Sequence, residues 1–468
     1  MKRIVFCFDG TWNKIDSVYP TNVTRIAQSV SPRDREGIAQ VVHYDEGVGT
    51  TIRDRFMGGV FGRGLIENII EAYHFLVLNY EPGDELFVFG FSRGAYTARS
   101  FVGLIRNCGI ISRRSLYDIR GAIELYMNRD KDSSPDAEAA RLFRFKHCPT
   151  LCLPGDTHWR CVTDSTWKKE KATELSVKYL GVWDTVGALG VPNHLKFLSK
   201  ITNSKYGFHD TRLSRVVGRA RHAVSADEQR RTFDPALWSN LTDLNAGHEA
   251  SPRYEQLIFP GTHSGVGGGG PVRGLSDIAL EWIFLAAREE GLAFDTDHSS
   301  PIFSIQPDHR AALFNETAKT KWSLKDRVMG VGLADRTFDN IDVRALHISL
   351  AQRMQEPATR LPEHREYKPS ALKAFWDRLL KMPTSKPADG TETKQLHDDR
   401  ILQAPVSVRT YKVKPGDKLG TIAETEMGDK KDWVILFLHN QQIGRLFHPD
   451  KIYAGTDIEI PEYAKAAG

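Results

Sequence analysis

The chain has 468 residues, 41% of them hydrophobic and 26% charged, with a formal net charge of +4. That length allows two or three domains and a large core, and the charge is too small for its size to point to a nucleic-acid partner. No apolar run approaches the ~20 residues of a bilayer-spanning helix, so no transmembrane segment is expected.

Met1-Lys2-Arg3 followed by Ile4-Val5-Phe6-Cys7-Phe8 begins as a signal peptide does, but Asp9 cuts the apolar run far short of an h-region. The run reads as a first buried strand, and the chain as one made in the cytoplasm without a signal peptide. Leu65, Ile69, Ala72, Tyr73, Leu76 and Val77 then recur at helical spacing. The turn Pro82-Gly83-Asp84 opens a second strand ending at Gly90, and Ala95 to Leu104 reads as a helix. Residues 113–174 are polar and irregular, which suggests a lid-like insertion over an active site. Cys148, Cys152 and Cys161 fall there beside His147 and His158. Zinc could use the three thiols and one imidazole, but the spacing matches no standard ligand pattern, so reduced thiols and no cofactor are expected.

Lys178 to Trp183 and Gln256 to Phe259 are further strand-like runs. Strands alternating with helices predict an α/β architecture with a mostly parallel sheet. We take residues 1–352 as this domain. Pro, Lys, Thr, Asp and Glu dominate 353–405, which reads as a linker. Inside it, Leu372, Phe375, Trp376, Leu379 and Leu380 share one helical face. That face reads as docking on the first domain, although Lys373, Arg378 and Lys381 would also suit a membrane surface. Residues 406–463 form a second, compact domain with the pattern strand, helix, helix, strand.

Gly90-Phe91-Ser92-Arg93-Gly94 joins the second strand to its helix. This is the context in which Gly-x-Ser-x-Gly becomes a nucleophile elbow: a sharp turn exposes the serine, and the helix N-terminus aims its N–H groups at an oxyanion. Serine needs a base and an orienting acid, ordered Ser, Asp, His in this fold. Asp184, just after a strand, is the expected acid, ahead of the arginine-flanked pair Asp227 and Glu228. His263, in a glycine-rich loop after a later strand, is the expected base, ahead of His222 and His248. Backbone N–H groups of Arg93 and of Gly10, with Thr11 beside it, are the expected oxyanion donors. The loop Phe8-Asp9-Gly10-Thr11 also suggests a phosphatase of the Asp-x-Asp-Gly-Thr type, but Cys7 stands where the nucleophilic Asp would be, which removes that reading.

Five blocks carry a resemblance: Phe8-Asp9-Gly10-Thr11-Trp12-Asn13, Tyr44-Asp45-Glu46-Gly47-Val48-Gly49-Thr50, the stretch Gly90 to Arg99, Val182-Trp183-Asp184-Thr185-Val186-Gly187, and Phe259-Pro260-Gly261-Thr262-His263-Ser264. With them, residues 1 to about 350 resemble the type VI secretion phospholipase effector catalytic domain, an α/β-hydrolase. The resemblance implies a triad of Ser92, Asp184 and His263, cleavage of phospholipid acyl esters, and a secretion apparatus or an immunity protein as partners. It also implies delivery by a dedicated system to the periplasm or a target cell. The family usually has Asp two residues after the histidine; this chain has Gly265. That departure keeps a second reading open, an inert hydrolase-fold adaptor. The C-terminal residues Tyr411, Val413, Gly416, Asp417, Leu419, Ile422, Trp433, Asn440, Ile460 and Pro461 resemble a LysM domain. This implies binding of N-acetylglucosamine glycans such as peptidoglycan.

Overall fold

Side chains along the first strands alternate between two apolar layers. Arg3–Thr11 is β1, Gln40–Gly47 β2, Glu85–Phe91 β3, Val177–Trp183 β4, Val217–Ser225 β5 and Tyr254–Phe259 β6. A computed structural model describes residues 1–11, 13, 15–47, 58–128, 134–187, 212–248, 251–295, 305–313, 332–338, 341–384, 405–442 and 452–462. The six strands form one sheet in the order β2-β1-β3-β4-β5-β6, and every pairing is parallel.

Ile4, Phe6, Phe8, Leu86, Val88, Leu180 and Val182 face one layer, built on α2 (Gly58–Asn79) and α3 (Arg93–Cys108). Val5, Cys7, Phe87, Phe89, Tyr179 and Trp183 face the other, built on α1 (Asn22–Ser29) and a later helix at Gly274–Glu289. A parallel sheet covered on both faces needs apolar residues at every position, which explains the unbroken run Leu86-Phe87-Val88-Phe89. The α/β class with a mostly parallel sheet is therefore the observed one.

The segment 113–174 forms α4 (Ile119–Met127), α5 (Glu138–His147) and α6 (Asp156–Thr163). Ile119, Ala122 and Tyr126 join the core on α3. Arg144 donates to both oxygens of Asp156 at 2.7 Å and to the Asn107 carbonyl at 2.7 Å. These anchors lie at the C-terminal end of α3, roughly 20 Å along it from Ser92 at ~1.5 Å per residue. The described part of this segment thus packs against α3 near its C-terminal end. Among the described residues no cluster of His, Cys, Asp or Glu could hold a metal ion. Cys148 and Cys152 are buried and Cys161 is exposed.

A helix runs across the boundary expected at residue 353. His263–Gly267 is α7, Gly274–Glu289 α8, Ile348–Gln355 α9 and Trp376–Lys381 α10. Leu350, Met354, Leu361, Tyr367, Leu372 and Leu379 close a third apolar cluster on Val224, Ala226 and Ile258 of the sheet side. Arg353, fully buried, donates to the carbonyls of His309 and Ala311 at 2.6 and 2.7 Å and to Glu363 at 2.9 Å. Residues 353–384 are therefore part of the first domain. The apolar face at Leu372, Phe375, Trp376 and Leu379 docks on it, with Leu380 left 43% exposed.

Ser407–Lys412 (β7) pairs antiparallel with Asp457–Glu462 (β8), and Leu419–Met427 (α11) and Trp433–Gln442 (α12) lie between them in sequence. Val413, Leu419, Ile422, Leu436, Ile458 and Ile460 form their core. Val272 and Ala312 of the first domain pack against it, and the Tyr19 ring lies 5.4 Å from that of Trp433. Among the described residues no helix is long and apolar enough to cross a membrane.

Because Leu379 is fully buried in the third cluster, Leu379→Ala is expected to cost about 2–4 kcal/mol of unfolding free energy, measured by denaturant titration of the full chain. A tethering linker would lose nothing.

Candidate active site

Phe91 is paired with Trp183, Trp183 with Ala223, and Ser225 with Phe259. The strands thus end level with one another, and the residues just past Phe91, Trp183 and Phe259 meet at one edge of the sheet. At this carboxyl edge open α/β sheets place their ligands.

Ser92 has φ 59° and ψ −123°, a strained conformation for a residue with a side chain. It is held by its N–H donating to the Trp183 carbonyl at 3.0 Å. The turn is possible because Gly94 runs against β1: a Cβ there would lie 2.2 Å from the Phe8 carbonyl oxygen and 2.3 Å from that of Asp9. Asp9 in turn is buried and caged. The hydroxyls of Thr21, Thr24 and Tyr44 donate to its Oδ2 at 2.5, 2.8 and 2.8 Å, and Gly10 N–H donates to its Oδ1 at 2.6 Å. Burial nevertheless pushes its carboxyl above the usual range, more than these donors pull it down. The Gly10 N–H, expected as an oxyanion donor, is thus engaged by Asp9. Arg93 is the first residue of α3, where backbone N–H groups have no intrahelical acceptor.

Asp184 follows β4 with φ 37° and no exposure to solvent. His263 Nδ1 lies 2.6 Å from Asp184 Oδ2, and His263 Nε2 lies 2.7 Å from Ser92 Oγ. A carboxylate only accepts, so Nδ1 carries the proton, and in the neutral ring Nε2 accepts from the serine hydroxyl. Ser92 and His263 are 4% and 6% exposed. Burial lowers the His263 pKa, and the hydrogen bond to Asp184 offsets this only in part. The imidazole is wedged between two rings: Phe91 at 4.6 Å, tilted, and Phe233 at 4.7 Å, edge-on.

Three expected site residues therefore meet in one hydrogen-bonded chain, and their rivals do not. His222 is fully buried with Nε2 accepting from Thr185 N–H at 3.2 Å and Nδ1 facing Gln256 Oε1 at 2.9 Å. Burial, with Arg99 nearby, pushes it down to about 3, so it is a neutral strut under the Asp184 turn. His248 is exposed in a turn. Asp227 accepts from Gly261 N–H and Tyr367 Oη, both at 2.7 Å, and burial raises it to about 6. Glu228 accepts from the Arg230 guanidinium at 2.8 and 2.9 Å and from His263 N–H at 3.2 Å. Both rivals brace the turn that leads into His263 and α7.

One participant was invisible in the sequence. Arg336 donates to Asp184 Oδ1 at 2.6 Å and to Oδ2 at 2.9 Å. Burial alone would raise the Asp184 carboxyl, but Arg336 and His263 outweigh it and hold it well below the usual range. No motif marks Arg336 among 63 lysines and arginines.

Residues 2–286 match the family model for the type VI secretion system phospholipase effector Tle1-like catalytic domain. The chain belongs to this family. Its first domain is thus that of a family of lipid ester hydrolases. It is 27% identical over 249 residues to the uncharacterized protein YEL023C of Saccharomyces cerevisiae, covering 50% of this chain and 32% of that one. The chain therefore spans about a third of that relative's length. Among solved structures, an uncharacterized protein from Pseudomonas aeruginosa is 18% identical with a TM-score of 0.38, over 81% of this chain and 62% of that one. The Tle1 effector bound to the VgrG spike of the type VI secretion system is also 18% identical, with a TM-score of 0.29, over 58% of this chain and 52% of that one.

The crowding at Gly94 overrides helix propensity. Alanine ordinarily stabilises a helix over glycine by about 0.5–1 kcal/mol. Gly94→Ala is expected instead to cost about 3 kcal/mol or more, because its Cβ meets backbone. Gly265, where only Thr262 Oγ1 at 3.5 Å faces an added Cβ, accepts alanine within about 1 kcal/mol. Thermal unfolding of the two variants checks both.

Proposed function

We propose that this protein is a serine esterase of phospholipid acyl groups, in which Ser92 is the nucleophile, His263 the base and Asp184 the orienting acid. The observation that carries this is the unbroken chain from Asp184 Oδ2 through the imidazole to Ser92 Oγ, at 2.6 and 2.7 Å. The family membership supports the lipid ester as substrate class.

In this mechanism Ser92 Oγ adds to the acyl carbonyl while its proton passes to His263 Nε2. Asp184 stabilises the imidazolium so formed. The oxyanion is received by the Arg93 N–H at the start of α3, with the Gly10 N–H as second donor once it releases Asp9 Oδ1. His263 then gives its proton to the departing alcohol, leaving Ser92 acylated. Water, deprotonated by His263, attacks the acyl-enzyme, and the serine leaves with the proton. No cofactor enters any step.

Ser92→Ala removes only the nucleophile. It is expected to fold as the wild type does and to lose hydrolysis of p-nitrophenyl esters and of phospholipid vesicles by at least about three orders of magnitude. A fluorophosphonate probe should label the wild type at Ser92 and leave this variant unlabelled. Equal turnover in both proteins would refute the mechanism, and an unlabelled wild type would favour the inert adaptor.

We further propose that the C-terminal β-α-α-β unit is a LysM module that tethers the chain to N-acetylglucosamine glycans, and that the chain is delivered by a secretion apparatus and held in check by an immunity protein. The motif residues and the strand–helix–helix–strand order support the module. The full chain should sediment with purified peptidoglycan and be released by soluble N-acetylglucosamine oligomers. Recovery of all the protein in the supernatant would remove the tether.

A further inference from the structure

We propose that Arg336 is a positioning residue of this hydrolase: it grips both oxygens of Asp184 and shares the carboxylate's charge with His263, so that the acid aims the imidazole without trapping a proton on it. This rests on the proposed triad of Ser92, His263 and Asp184.

The geometry gives the grip two ends. Toward the site, Arg336 Nη1 and Nη2 each take one carboxylate oxygen, and Ser225 N–H supplies a third donor to Oδ1 at 3.0 Å. Away from it, the same two nitrogens donate to the carbonyls of Ser225 at 2.8 Å and Phe233 at 2.6 Å. The guanidinium is thus fixed on both sides and 6% exposed. Its segment is zipped to the one that presses Phe233 on the imidazole: Arg231 N–H donates to the Gly332 carbonyl at 3.0 Å, and Ala334 N–H to that of Gln229 at 2.7 Å.

Oδ2 of Asp184 therefore accepts from two donors, Arg336 Nη2 and His263 Nδ1. A buried carboxylate facing the imidazole alone would draw the proton strongly to His263 and slow its release to the leaving alcohol. Arg336 offsets that pull while keeping the acid ionised. Among the described residues, the other titratable groups around the pair are Glu228 and Arg230, which face His263 and are paired with each other, and the neutral His222 beside Asp184. Arg336 is thus the cation that meets Asp184 directly.

The test is the pH profile of kcat/KM for a p-nitrophenyl ester with the full chain carrying Arg336→Gln or Arg336→Lys. With Gln the uncompensated Asp184 raises the His263 pKa, so the acidic limb should move up by about one pH unit and the maximal rate should fall roughly tenfold. With Lys the limb should return to within a few tenths of a unit of wild type. A limb that stays at its wild-type position in Arg336→Gln, whatever the loss of rate, overturns the proposal and leaves Arg336 a structural ion pair. If Arg336→Gln does not fold, NMR titration of the His263 ring in the wild type and Arg336→Lys decides. Titration clearly below about 6.5 in both supports the proposal, and titration at or above it in the wild type overturns it. Ser92→Ala separates the two levels: if it is inactive while the limb is fixed, only the role of Arg336 fails.

Discussion

A carboxylate with no exposure to water stays charged only if the protein supplies what water would have supplied. The whole site is arranged around meeting that demand at Asp184. Its donors come from three separate places: the end of β5 through Ser225, the glycine-rich loop through His263, and the segment 332–338 through Arg336. None is near the others in the chain, so the site assembles only when the sheet has its full order and the later segments have closed on it.

Asp9 solves a related problem differently. It too is buried, but its partners are three hydroxyls, the Gly10 N–H and the Asn13 amide, with no cation in direct contact among the described residues. The two carboxyls consequently shift in opposite directions, Asp9 upward and Asp184 downward. The difference suits their places. Asp9 pins the loop that lies under the elbow and ties it to the start of α1, through Thr21 and Thr24. The Asn22 side chain then reaches the Val266 and Ser276 carbonyls, so the pin extends to the loop that carries His263.

The meeting of Ser92, Asp184 and His263 was legible because parallel strands force a simple rule: residues just past strand ends converge. Asp227 and Glu228 also follow a strand end, and what sets them apart is packing: they hold Gly261 N–H and His263 N–H rather than the imidazole. Four of the six strands were legible from their apolar runs; β2 and β5, with His43, Asp45, Arg219, Arg221 and His222 among their residues, were not. Polar residues that pair in the interior could not be read in this way. Residues 113–174 look like an irregular covering loop because Arg144 and Asp156 are charged, yet each neutralises the other inside the core. Residues 353–384 look like a linker for the same reason: Arg353 with Glu363 and Tyr367 with Asp227 satisfy one another out of sight of solvent. Arg336 is the extreme case, 152 residues from the Asp184 it holds, with no periodicity to announce it.

The separation between Arg336 and the matched stretch bears on how such proteins can be inherited and recombined. The match to the family model ends at residue 286, but the guanidinium bonded to its buried aspartate arrives fifty residues later. A recombination event that kept the recognisable stretch and exchanged the residues beyond it would inherit the anion without its counter-ion. The new partner would have to bring a cation to the same spot or accept an uncharged acid there. The stretch that must stay together to keep Asp184 paired in this chain is therefore longer than the stretch that matches the family model.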